Sequence, residues 1–187
     1  MALGTPRFDA GRSCLDLLAT AHPGERIGTA EELAAWVVAA GLVPAGTDPV
    51  PADGGWVARF RELRWHTERL LRSPRAPDDS LDRVNRAARA AAPPAVRAVA
   101  RQNGPLVGEL AEPPTAAALL SLLARDAIDL LTDPLARAAV RECASDGCSL
   151  LYLDTSRGRR RRWCSSEVCG NRERVARHRR RVALARS

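Results

Sequence analysis

Lysine is absent. All 29 side chains of fixed positive charge among the 187 residues are arginine, and heavy use of alanine, proline and glycine makes genome base composition as good an explanation as chemistry. Arginine's planar donor fork suits phosphate and base edges, but where the charges sit says more than their type. No apolar run approaches the ~20 residues that a membrane-crossing helix needs, and the opening MALGTPRFDAGR lacks the apolar core of a signal peptide. The expectation is a cytoplasmic protein, in which cysteines stay reduced and paired ones are read as metal ligands before disulfides. Nucleophile elbow, phosphate loop and metalloprotease helix are also missing, so no catalytic residue is expected and the chain is not read as an enzyme. His22 and His66 have no Cys, Asp or Glu partner at metal-ligand spacing and are expected as surface or packing residues. Cys14, alone, is expected as a small buried hydrophobe.

What is present is unevenly spread. Formal net charge is +7, yet from Arg137 onward 14 arginines face five acids, while the preceding residues hold 15 arginines against 17 acids. Such a split suggests an acidic-to-neutral body carrying a polyanion-binding tail; a merely solvated basic tail is the alternative.

The body, residues 1–140, reads as a mainly helical domain with a small β-hairpin. The segment RFDAGRSCLDLLAT fits either a short strand or a helix, since its periodicity decides nothing. GTAEELAAWVVAAGLVP is a helix with a capping box between Thr29 and Glu32, stopped by Gly41 and Pro44. WVARFRELRWHTERLLRS repeats Trp56, Phe60, Leu63, Thr67 and Leu70 at helical spacing and is closed by Pro74 and Pro77, with Trp36, Trp56, Phe60 and Trp65 expected as core aromatics. DDSLDRVNRAARAAA predicts a helix capped by Asp79 or Ser80, with Leu81, Val84 and Ala88 inward. A hairpin is expected around Asn103-Gly104, followed by the most apolar helix, TAAALLSLLARDAIDLL, at the centre of the core. Asp133-Pro134 then caps a short helix, LARAAVREC, that delivers the chain to Cys143.

Residues 141–187 carry the chemistry. Cys143-x4-Cys148 and Cys164-x4-Cys169, fifteen residues apart, match a structural tetrathiolate zinc site; an iron-sulfur cluster or redox disulfides are the alternatives. Few large apolar side chains follow Cys143, and structural zinc can supply about 10 to 16 kcal/mol of apparent folding free energy in such modules. LLYLDTSRGRRRRW reads as strand, turn at Gly158, and a strand returning to Trp163. Ser165 or Ser166 then caps a helix running to about Ala183, with Val175 and Val182 on one stripe. Knuckle, hairpin and helix in that order predict a treble-clef-like zinc module, giving an α+β chain overall. Arg157, Arg159, Arg160, Arg161 and Arg162 fall on the hairpin turn, and Arg172, Arg174, Arg177, Arg179, Arg180 and Arg181 on the helix. Holding so many like charges together costs repulsion that a phosphate partner relieves.

Cys143-x4-Cys148, Leu151-Tyr152-Leu153-Asp154-Thr155-Ser156, Arg161-Arg162-Trp163-Cys164-Ser165 and Cys169-Gly170-Asn171-Arg172 together resemble the CGNR zinc-finger family. Its usual partner is an N-terminal ABATE domain, to which Cys14-Leu15-Asp16-Leu17, Glu31-Glu32-Leu33-Ala34-Ala35-Trp36 and Phe60-Arg61-Glu62-Leu63-Arg64 are similar. Ala19-Thr20 departs from that domain's usual Asn-Thr. The resemblance implies zinc on Cys143, Cys148, Cys164 and Cys169, a signature completed by Gly170, Asn171 and Arg172, and a stress-induced transcription regulator that binds DNA through the finger. Double-stranded DNA is the expected partner, with Asn171 or a neighbouring arginine reading a base edge. An effector or protein partner is left to the N-terminal domain, and the oligomeric state is open. Alternatives are a redox-sensing zinc protein acting on a protein partner, an RNA binder, and a treble-clef nuclease; the hairpin has no histidine to act as the nuclease's general base.

Overall fold

The computed structural model describes residues 8–47, 50–73, 75, 77–102 and 104–184. In chain order these form α1 (Ser13–Ala19), α2 (Ala30–Ala39), α3 (Gly54–Arg72), α4 (Asp78–Arg89), β1 (Val96–Ala100), β2 (Leu106–Leu110), α5 (Ala116–Thr132), α6 (Pro134–Arg137), β3 (Val140–Glu142), β4 (Leu151–Leu153), a π-helical turn (Ser166–Gly170) and α7 (Asn171–Leu184). Half-helical content with two small antiparallel hairpins is the α+β architecture expected. Among these residues no helix is long and apolar enough to cross a membrane.

Local signals explain most helix ends. Thr29 accepts from the Glu32 amide at 3.2 Å while Glu32 accepts from the Thr29 amide at 3.1 Å, closing the capping box of α2. At its other end Gly41 takes φ +67°, and the Gly41 and Leu42 amides bond back to Val38 and Val37, a Schellman ending that glycine's freedom at positive φ permits. Thr115 caps α5 through the Ala118 amide. Its Leu119, Leu123, Ala124, Ala127 and Leu130 are at most 1% exposed, so α5 is the central post onto which α1, α3 and α4 pack. Phe60 of α3 meets Trp36 of α2 edge-on, ring centroids 6.4 Å apart.

Several expectations are corrected. RFDAGRSCLDLLAT forms a helix, α1, with Cys14, Leu15, Leu17 and Leu18 buried. α4 has Pro77 before it and no side-chain cap; its buried stripe is Ser80, Val84 and Ala88, four residues apart, which turns Leu81 outward. Ser80 faces inward because its hydroxyl meets His66 Nδ1 at 3.0 Å. Trp65 is 53% exposed: it lies off the Phe60–Leu63–Thr67–Leu70 face and is covered by Arg69, whose guanidinium sits 4.5 Å above the ring. The first hairpin pairs Ala100 with Leu106, leaving a five-residue loop instead of a two-residue turn; Asn103 lies outside the described residues, as does Pro74 after α3.

The approach to Cys143 is also different. Asp133 caps α6 through the Leu135 and Ala136 amides, but the helix ends at Arg137 and the chain straightens into β3. β3 pairs with β4 in the register Val140↔Leu153, Arg141↔Tyr152, Glu142↔Leu151. This tertiary pairing outweighs the helix preference of the alanine- and arginine-rich segment. The returning stretch before Trp163, expected as a strand, is irregular.

The core continues across residue 140. Leu150, Leu151 and Tyr152 lie in the same buried cluster as the body's helices. The Leu153 amide donates to the Ala10 carbonyl at 2.8 Å, and a Cβ on Gly11, whose φ is +90°, would meet Leu153 at 3.2 Å. Arg72, at the end of α3, donates to the Ser149 carbonyl and pairs with Glu142 at 3.1 Å. Inside the body, Arg64 grips Glu25 with two hydrogen bonds of 2.8 and 2.6 Å and also donates to Thr20 at 2.7 Å. Thr20, at 2% exposure, anchors that buried guanidinium from the end of α1.

Candidate metal centre

The two cysteine pairs are brought together by two unlike turns. The first follows β3: the Cys143 amide donates to Leu150 and the Cys148 amide to Ser145, with Gly147 at φ +72° allowing the chain to double back. In the second, Ser165 caps the Val168 amide at 3.3 Å, and the Gly170 amide reaches back five residues to the Ser165 carbonyl at 2.9 Å. A π-helical turn returns residues five apart to one side. That is why an x4 spacing can place Cys169 Sγ 3.6 Å from Cys164 Sγ.

All four sulfurs lie within 4.8 Å of one another, and Cys148 Sγ is 3.8 Å from Cys164 Sγ. Zinc–sulfur bonds of about 2.3 Å imply sulfur–sulfur edges of about 3.8 Å in a tetrahedron, so the set fits one zinc ion. Cys164 Sγ and Cys169 Sγ, at 3.6 Å, stand well beyond the ~2.05 Å of a disulfide bond. Cys143, Cys164 and Cys169 are buried and Cys148 partly so. The Cys164 amide donates to Cys143 Sγ at 3.4 Å. Burial, reinforced by the neighbouring thiols, pushes the Cys148 thiol up. Zinc must therefore displace a firmly held proton, and its affinity falls as pH drops.

Side chains around the sulfurs make the rest of the module. Arg161, expected among the outward arginines, turns inward: Nε donates to the Trp163 carbonyl at 2.8 Å, Nη2 to the Cys164 carbonyl, and the guanidinium lies 4.7 Å over the Tyr152 ring. Tyr152 answers by donating its hydroxyl to the Arg161 carbonyl at 2.6 Å. Asp154 accepts from the Ser156 amide and hydroxyl on one oxygen and from the Arg161 amide on the other, at 2.6 to 3.0 Å. The Ser156 hydrogen bonds hold its carboxyl below the usual range. Asp154 thus shapes the arginine loop, in which Gly158 and Arg159 take φ of +84° and +50°. Glu173, in the first turn of α7, accepts from Ser145 Oγ and the Asp146 amide and so clamps that helix to the knuckle.

Of the arginines singled out by sequence, Arg157, Arg159, Arg160 and Arg162 are exposed on the loop, Arg162 lying 5.4 Å over the Trp163 ring. Arg172, Arg174, Arg177, Arg179, Arg180 and Arg181 are exposed along α7, where no side chain is buried. Asn171 shares its amide oxygen with Arg174 at 3.3 Å. Val175 and Val182 are exposed, so their stripe does not pack on the body. Asp154 could have been found from its Asp-x-Ser turn signature; nothing local marks Glu173 or the inward turn of Arg161.

A helical body joined to a four-thiolate knuckle and a basic helix defines a zinc-finger protein. Family models give the particular kind: residues 11–134 match ABATE, described as "Putative stress-induced transcription regulator", and residues 139–182 match the CGNR zinc finger. The chain belongs to the ABATE family and carries a CGNR zinc finger. No curated protein matches it.

Proposed function

We propose that this regulator binds double-stranded DNA through the zinc finger, with α7 in the major groove and the loop arginines on phosphate, and that it does so in the cytoplasm without catalytic activity. One observation carries the reading: α7 projects from the zinc site with no buried side chain, and six arginines cover it. An isolated polar helix of this length is marginal in water; zinc and the Glu173 clamp fix its first turn, and a polyanion would hold the remainder. Fourteen residues make a rod of about 21 Å, and the major groove, about 12 Å wide, admits one helix. Arg157, Arg159, Arg160 and Arg162 on the adjoining loop are placed to take backbone phosphates, while Asn171 is at the helix start, where base-edge contacts are commonly made.

Fluorescence anisotropy of the zinc-loaded protein with duplex DNA, duplex RNA and single strands across a salt series tests this. Duplex DNA should bind tightest, with affinity falling steeply with salt and the slope easing by about one for each phosphate-contacting arginine removed. Alanine at Arg159, Arg160 and Arg162 should weaken all DNA sequences alike. Binding that ignores salt, survives Arg177→Ala/Arg181→Ala unchanged, or prefers duplex RNA would overturn the reading.

A further inference from the structure

α3, α4 and the start of α5 line an open hollow of about 200 Å³ that shares no residue with the metal centre. Leu63, His66 and Leu120, all buried, make its floor, and half-buried Ala87 and Ala117 its walls. The mouth holds three exposed arginines and one carboxylate. Arg83 pairs with that carboxylate, Glu62, at 3.1 Å. Arg59 and Arg86 have no ion-pair partner among the described residues. His66 is held by Ser80 through Nδ1, and its Nε2 stays 3.9 Å from Glu62 Oε1, beyond hydrogen-bond reach.

We infer that this cavity is a binding site for a small organic monocarboxylate with a compact apolar body. Two guanidinium groups without an ion-pair partner among the described residues, at the mouth of a largely apolar hollow, offer an anion charge-assisted hydrogen bonds. Ala117 lies in the first turn of α5, a seventeen-residue helix, so the positive end of that helix dipole borders the same hollow. The leucine and alanine side chains of the floor and walls gain nothing from a bare phosphate but do gain from burying carbon. The volume is below the roughly 300 Å³ at which drug-sized pockets begin, which limits the apolar part to the size of one ring or a short chain. A few convergent polar groups on an otherwise apolar cleft is the usual form of such sites. The site stands apart from nucleic-acid binding, and neither reading depends on the other.

Titration calorimetry of the full zinc-loaded chain with benzoate and with hexanoate provides the test, with methyl-detected NMR of Leu63, Ala87, Ala117 and Leu120 to locate the ligand. At least one of the two carboxylates should bind with one-to-one stoichiometry and shift those methyls, roughly tenfold or more tighter than benzyl alcohol, acetate or inorganic phosphate. The surface double variant Arg59→Gln/Arg86→Gln should lose at least about tenfold in carboxylate affinity while leaving benzyl alcohol unchanged. Ala117→Phe, which fills the hollow, should abolish binding with zinc content retained. The inference is overturned if neither carboxylate binds, if the shifts fall elsewhere, if phosphate binds as tightly, or if the arginine variant binds as the parent does.

Discussion

The body and the zinc module are ordered by different forces. In the body, α5 is wrapped by apolar side chains from α1, α3 and α4, and polar contacts such as Arg64–Glu25 are added to an existing core. In the module, order comes from four sulfurs and from polar links: Asp154 to the loop, Glu173 to the knuckle, Arg161 to the Cys164 carbonyl. Its apolar residues divide accordingly. Leu150, Leu151 and Tyr152 join the body's core, whereas Val168, Val175, Val182 and Leu184 stay exposed. Metal thus replaces only part of a missing core; the rest is lent by the body through β4.

The largest effect should come from the metal. Cys164→Ser removes one of three buried sulfurs, and zinc affinity, worth about 10 kcal/mol or more in comparable modules, should collapse. Circular dichroism and exchange should show loss of α7 with the body's helices retained, which separates the two regions; simultaneous unfolding of α5 would merge them. Next is Leu123→Ala at the centre of α5, expected to cost about 2 to 5 kcal/mol in chemical denaturation, with zinc still bound in the native state.

Acid and base should separate two carboxyls of the body. Hydrogen bonds from Arg64 hold Glu25 down at about 2, against 4.5 when unfolded. Its folded-state pKa is depressed, so its contribution is complete above about 4.5 and lost as pH falls towards 2. Asp16 behaves oppositely: burial raises it from 3.8 to about 7, so its contribution is complete below about 4 and lost as pH rises through about 7. Denaturation midpoints of Asp16→Asn should therefore fall less with pH between 4 and 7 than those of the parent, and Glu25→Gln should lose its deficit below pH 4. An unchanged slope in either variant would contradict these environments. The smallest effect is expected at the α2 cap, where Thr29→Ala should cost about 1 kcal/mol by thermal unfolding, without touching the metal.

Sequence logic reached the parts governed by neighbours in the chain. The Thr29–Glu32 box, the Gly41 ending, the periodic face of α3 and the apolar run of α5 all appear where spacing places them. The cysteine pairs were legible for the same reason, each being a local turn. It failed where a distant partner decides. β3 exists because β4 lies beside it, Leu81 faces outward while Ser80 turns inward to His66, and Trp65 faces solvent, where Arg69 covers its ring. Arg161 looked like its neighbours in an arginine run, yet only it meets Tyr152 and the Cys164 carbonyl in three dimensions.

Residue-level hydrogen exchange on the full-length protein, before and after removal of zinc by a chelator and again after zinc is restored, tests the division of labour most directly. Metal removal should abolish protection at the Cys148, Arg161 and Gly170 amides and in the first turns of α7, leave Leu119–Leu130 slow to exchange, and reverse on adding zinc. Unaltered protection of the Gly170 amide and α7 in the metal-free protein would contradict the account.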